Sequence, residues 1–198
     1  PSATVDVMNL LVSQGADRLE LGVPVSDPMA DGPVIQRATE RALAHNVSMR
    51  DVFGMVRAFR EKDQNTPVIL MGYLNPVEIM GYASFANEAA ASGADGVLTV
   101  DLPPEEAEDY AKVLREAGLE CVFLVSPTTP NRRLQAVARL GSGFVYYVSL
   151  KGVTGANSLD TDDVARHLAE LRQFTSLPLG VGFGIRAAHT AGPVAKTA

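Results

Sequence analysis

The chain has one cysteine, Cys121, so no internal disulfide can form, which suits a reducing compartment. Its three histidines, His45, His167 and His189, are scattered, and none stands at metal-ligand spacing from another or from Cys121. A zinc site is therefore not expected. No apolar run approaches the roughly 20 residues that cross a bilayer, and no secretory leader is legible. Basic blocks are missing as well. With a net charge of −6 and a pI near 5.1, neither nucleic acid nor an anionic membrane surface is an expected partner. No Pro- or Ser-rich linker interrupts the 198 residues, so one domain over 1–198 is expected.

What is present is alternation. Short apolar runs at 17–21, 67–71, 94–100, 120–125, 143–149 and 177–182 read as strands. Between them lie helical patterns at 4–14, 34–44, 48–62, 76–91, 104–117, 130–140 and 160–174, with apolar residues three and four apart, as in Val52, Met55, Val56 and Phe59. The junctions repeat: QGAD at 14–17, SGAD at 92–95 and the looser AGLE at 117–120 each place a glycine where a helix ends and a strand begins. Ser48, Asp160 and the pair Pro103–Pro104 mark helix starts. Strands alternating with helices imply βαβ units and a parallel sheet. The fold class expected is α/β: a TIM (β/α)8 barrel incomplete at both ends, with first and last strands not seen, or else an open sheet. A full barrel has eight strands and about 250 residues.

Chemistry concentrates in LELGVPVSDPMADGP. Side chains alternate along a strand. If Leu19 and Leu21 pack beneath helices, Glu20 points the other way, near a strand's C-terminal end, where barrel active sites lie. Partial burial there raises a glutamate's pKa and fits it to give or take a proton. Asp27 and Asp31 stand in turn signals, S-D-P and A-D-G-P, and spacing alone makes both turn residues.

LELGVPVSDPMADGPVIQRA resembles the signature of the tryptophan synthase α subunit family. PVILMGYLNPV at 67–77, DGVLTVDLPPEE at 95–106, YYVSLKGVTGA at 146–156 and GVGFGI at 180–185 resemble the same family's later strand–loop junctions, in order. The resemblance implies a carbon–carbon lyase of tryptophan biosynthesis, cytoplasmic, that cleaves indole-3-glycerol phosphate to indole and glyceraldehyde 3-phosphate. It implies Glu20 as general acid–base and Asp31 as the carboxylate that holds the indole N–H and stabilises the indolenine cation. It implies a phosphate site at the loops containing Thr154 and Gly155 and at Phe183 and Gly184, with Tyr146 near the glutamate. No metal and no organic cofactor is implied on this chain; pyridoxal phosphate is expected only in a partner β subunit, in an α2β2 assembly. By position, Pro24, Asp27, Asn75 and Asp101 become candidates for docking that partner.

Three other readings stay open at this point. A barrel that forms indole-glycerol phosphate would need a strand-end lysine, whereas Lys151 lies in a loop. A subunit that acts only with its partner would cleave poorly alone. A plain sugar-phosphate binder has no use for two nearby carboxylates.

Overall fold

The computed structural model describes residues 2–149, 161–182, 185 and 188–196. The chain falls into two compact units, Pro1–Cys121 and Val122–Ala198.

The first unit is built on three parallel strands, β1 (Leu19–Gly22), β2 (Val68–Gly72) and β3 (Gly96–Thr99). Glu20 pairs with Ile69 and Gly22 with Met71; Met71 pairs in turn with Leu98. Around them run α1 (Thr4–Ser13), α2 (Pro33–Leu43), α3 (Met49–Arg60), α4 (Leu74–Met80), α5 (Tyr82–Ser92) and α6 (Glu108–Glu116), with a 3-10 turn at Pro104–Glu106. The core is aromatic and aliphatic. Phe53, Phe59, Phe85 and Tyr110 are buried, and Phe53 and Phe85 meet at 6.0 Å between ring centroids. Burial of each such ring contributes on the order of 2 kcal/mol.

The second unit carries β4 (Glu120–Val125), which begins at the end of the first, then α7 (Asn131–Leu140), β5 (Val145–Val148), α8 (Thr161–Leu171), β6 (Leu179–Gly182) and α9 (Ala188–Ala195). Val145 of β5 pairs in parallel with Phe123 on one side and Leu179 on the other. The described architecture is thus α/β with six parallel strands, in the chain order the sequence predicts.

The junction glycines behave as expected. Gly15, Gly93 and Gly118 have φ of +97°, +90° and +79°, the left-handed region that releases the chain from a helix into a strand. Ser48 forms a full capping box: its side chain accepts from the Asp51 N–H, and the Asp51 carboxylate accepts from the Ser48 N–H. Asp160 lies outside the described residues.

Two expected helices differ. The pattern at 76–91 is two helices, α4 and α5, parted at Gly81 with φ of +81°. The first starts two residues before Pro76, which sits in the first turn, where a missing N–H costs nothing. The stretch 104–117 breaks at Ala107 into the 3-10 turn and α6. No helix among the described residues is long and apolar enough to cross a membrane.

Candidate active site

β1 shows the alternation that the sequence predicts. Leu19 is buried and Glu20 is exposed on the opposite face. Glu20 shares that face with its register partner Ile69, itself buried. Burial is the main cause that raises the Glu20 carboxyl above the ordinary glutamate range, and the Arg18 guanidinium partly offsets it. The side chain still reaches solvent, so the shift marks crowding rather than enclosure. No hydrogen bond to the Glu20 carboxyl occurs among the described residues. A crowded carboxyl with no internal hydrogen bond is poised to exchange a proton with something else.

After Gly22 the chain continues the ladder for one bond, with the Val23 N–H donating to the Met71 carbonyl at 2.8 Å. Val23 and Val25 are buried and pin the start of the loop. Gly72 keeps this approach close, since a Cβ on it would lie a tight 3.2 Å from the Val23 Cβ. Two tight turns follow: the Met29 N–H reaches the Asp27 carbonyl at 2.9 Å, and the Asp31 N–H reaches the Pro28 carbonyl at 3.0 Å. Gly32 then caps α2, with Pro33 as its first residue. The Gln36 side-chain amide closes back on the Asp31 carbonyl at 2.8 Å. Asp31 therefore serves as a turn residue through its backbone, as its spacing predicts.

Its side chain does something else. The Tyr73 hydroxyl donates to Asp31 Oδ2 at 2.8 Å and accepts the Ala30 N–H at 3.1 Å. Tyr73 directly follows β2 and is 5% exposed. Burial first, then the bond to Asp31, pushes its phenol up to about 12, so it stays a proton donor at any ordinary pH. The other oxygen of Asp31, Oδ1, takes no bond among the described residues. Asp31, Gly22, Val23, Gly72 and Tyr73 border a mostly apolar cavity of about 280 Å³ at the C-terminal ends of β1 and β2. Tyr73 is not among the residues expected at the site, although it stands in MGYLNPV; a tyrosine just beyond the strand that neighbours Glu20's strand is the available signal.

The docking candidates all lie on connections at that same strand end. Pro24 is half-buried; Asp27, Asn75 and Asp101 are exposed. Asp101 also acts locally, since its Oδ1 accepts the Leu74 N–H at 2.7 Å, at the first residue of α4.

In the second unit, Tyr146 is half-buried on β5 beside Gly182 of β6. A Cβ at Gly182 would stand 1.9 Å from the Tyr146 hydroxyl oxygen, so only glycine fits beneath that ring. The Ser149 hydroxyl donates to the Gly182 carbonyl at 2.6 Å, tying the two strand ends together. Thr154, Gly155, Phe183 and Gly184 lie outside the described residues. Among the described residues no group of three or more His, Cys, Asp or Glu side chains is placed to hold a metal ion. Cys121 is buried, and burial pushes its thiol up to about 12, which leaves it unreactive.

Comparison with known proteins gives a consistent picture. Residues 1–198 match the family described as tryptophan synthase alpha chain. The chain is 61% identical to the tryptophan synthase alpha chain of Nitrosococcus oceani, over all of this chain and 73% of that relative. It is 63% identical to the one from Laribacter hongkongensis, over all of this chain and 75% of that relative. Among solved structures, subunit alpha from Legionella pneumophila aligns at a TM-score of 0.93 and 49% identity, covering 100% of this chain and 73% of the other. A structure from the tryptophan synthase a2b2 complex of Pyrococcus furiosus, described in terms of mutual activation, aligns at 0.89 and 37% identity, covering 100% and 79%.

Proposed function

The chain belongs to the tryptophan synthase alpha chain family, and from that premise we propose that Glu20 and Asp31 divide the chemistry of its reaction. The reaction is the α reaction of tryptophan biosynthesis, and the enzyme class is lyase. Cleavage of indole-3-glycerol phosphate is a retro-aldol scission. A proton must reach indole C3, the glycerol hydroxyl next to the breaking bond must lose one, and the bonding pair must return to the ring as the aldehyde forms. Glu20 gives the proton to C3 and then, as carboxylate, takes the proton from the hydroxyl. Asp31 accepts the indole N–H on Oδ1 and neutralises the indolenine cation while it exists.

The observation that carries this reading is the contrast between two carboxyls of one strand–loop segment, Glu20 within β1 and Asp31 on the loop that follows it. Glu20 is crowded, takes no hydrogen bond among the described residues and is raised in pKa, which suits a proton donor. Asp31 is anchored through one oxygen by Tyr73, which suits a fixed charge. General acid–base catalysis of this kind needs no cofactor on this chain; pyridoxal phosphate belongs to the partner. The phosphate is assigned to backbone N–H groups around Thr154, Gly155, Phe183 and Gly184, and Tyr146 to substrate binding, on the strength of family motifs. The fold is read as part of an eight-stranded (β/α)8 barrel, supported by parallel strands each joined to the next through one or more helices and by the 0.93 alignment. Cytoplasm is the compartment proposed for the reaction.

The partner is the tryptophan synthase β subunit in an α2β2 assembly. Pro24, Asp27, Asn75 and Asp101 are assigned to its docking face, because parallel strands deliver their following loops to one end of a sheet. Met29 and Ile79 add apolar surface on the same connections, 74% and 80% exposed.

The test is the rate of indole formation by the assembled enzyme carrying Glu20→Gln or Asp31→Asn. Each variant is expected to lose about three decades of kcat, on the scale of a removed electrostatic or acid–base group, while circular dichroism and Tm hold. A variant within tenfold of the unsubstituted enzyme removes that residue from the mechanism.

A further inference from the structure

Asp31 sits on a connection between turns, and such a connection does not by itself fix a side chain. A charge that stabilises a transient cation must already be in place when the cation forms, because reorientation at that moment cancels the gain. Something must therefore hold the carboxylate. Its neighbours along the chain do not: Gln36 and Pro28 bond only to the Asp31 backbone. Among the described residues, the one side chain bonded to the carboxylate is Tyr73, 42 residues away.

We propose that Tyr73 is a positioning residue of the α reaction, holding the Asp31 carboxylate in place through a donated hydrogen bond to Oδ2 so that Oδ1 is presented to the indole N–H. This rests on the role given to Asp31 above. Four features support it. The Tyr73 hydroxyl uses both of its capacities on this one loop, donating to Asp31 at 2.8 Å and accepting from Ala30 at 3.1 Å. The ring is almost fully buried, so its rotamer is set by packing and not by the loop. Its backbone is set in turn by Asp101, which accepts the neighbouring Leu74 N–H at 2.7 Å. Finally, the phenol keeps its proton, being pushed up to about 12, so the bond has one polarity across the working pH range. The chain of support runs from the β3 end through the β2 end to a loop that follows β1, so three strands fix one oxygen.

Tyr73 does not touch the reacting atoms in this arrangement. Its effect passes through Asp31, and that makes it separable from a merely structural tyrosine. The experiment is a double-mutant cycle on the assembled enzyme: unsubstituted, Tyr73→Phe, Asp31→Asn, and both together. Phe keeps the ring and its packing and removes only the hydroxyl. Tyr73→Phe is expected to lower kcat about tenfold with KM within twofold, and to add no further loss in the Asp31→Asn background. The same cycle is read in the affinity for indole by direct titration, which needs no turnover; Tyr73→Phe is expected to weaken indole severalfold alone and not at all beside Asp31→Asn. An unimpaired Tyr73→Phe enzyme overturns the proposal. So does a loss that carries undiminished into the Asp31→Asn background, since that marks a role independent of the carboxylate. If Asp31→Asn itself keeps its rate, the parent reading fails and this inference falls with it, whereas an inactive Asp31→Asn beside a normal Tyr73→Phe removes the inference alone.

Discussion

The two ends of the β1–β3 sheet both use an aspartate, in opposite ways. At the strand N-terminal ends, Asp95 Oδ2 takes the Arg60 guanidinium at 2.6 Å and the Val68 N–H at 2.7 Å. Arg60 is consumed too: Nε donates to the Gly93 carbonyl at 2.8 Å and Nη1 to the Thr66 and Asp63 carbonyls at 2.8 and 3.2 Å. Even Gly93 is doubly constrained, by φ of +90° and by an Arg60 side chain 2.8 Å from where its Cβ would be. At the strand C-terminal ends, Asp31 has one side-chain partner and an unused oxygen, and Glu20 has no hydrogen-bond partner at all among the described residues. The bonds of Asp95 and Arg60 go to the first N–H of β2, the end of α5 and the 63–66 turn, so this network holds the fold. Asp31, with one oxygen unbonded among the described residues, borders a cavity where it can act on a ligand, whereas Glu20 stands on β1 and does not line that cavity. This is the division between the stability and catalytic ends of parallel (β/α) architectures, visible here on a single three-stranded unit.

The same substitution at the two ends should break different properties. Asp31→Asn is expected to cost about three decades in kcat, equivalent to roughly 4 kcal/mol of transition-state stabilisation, with Tm nearly unchanged. Asp95→Asn is its counterpart: kcat per folded molecule stays normal, and the urea midpoint falls by an amount worth about 1–2 kcal/mol. The comparison collapses if Asp95→Asn loses turnover while fully folded.

Arg60→Ala should be the most damaging change at the N-terminal end. The arginine side chain is 12% exposed and holds four acceptors, so its loss is expected to cost about 3 kcal/mol in urea unfolding. Active enzyme should be recovered at low temperature with normal kcat.

The smallest effect sharpens the contrast most. Glu20 has a raised folded-state pKa, so its ionised form weighs against folding at neutral pH. Glu20→Gln should therefore stabilise slightly at pH 7, by less than ~1 kcal/mol given the solvent around the group. Stability in the unsubstituted protein falls as pH rises through the raised value. The advantage of Gln disappears below about pH 4, where the unfolded chain's glutamate is protonated as well. Urea midpoints at pH 4 and pH 7 measure this directly. A destabilised Glu20→Gln at pH 7 would mean that the carboxylate supports the fold as Asp95 does.

Much of this is legible in the residues. Alternation puts Leu19 and Glu20 on opposite faces of β1, and the QGAD, SGAD and AGLE junctions locate three left-handed glycines. Local patterns of that kind are read from neighbours in the chain. The split of 76–91 is hidden, because Gly81 inside an apolar, alanine-rich stretch costs a helix too little to announce a break. Asp31 is hidden for another reason. Its turn chemistry is local and legible, but its bond to Tyr73 spans 42 residues, and no spacing rule reports a contact made by strand pairing. Family motifs supply its role, and the geometry supplies a physical partner for it. Asp101, a docking candidate by position, carries a helix-start bond that position alone does not reveal.

The most direct measurement is a single-turnover experiment with indole-3-glycerol phosphate and the assembled enzyme carrying Glu20→Gln, following indole release. The assignment predicts a rate lower by about three decades, with substrate still bound and Tm no lower than that of the unsubstituted protein. Release at a near-normal rate from the folded variant would contradict it.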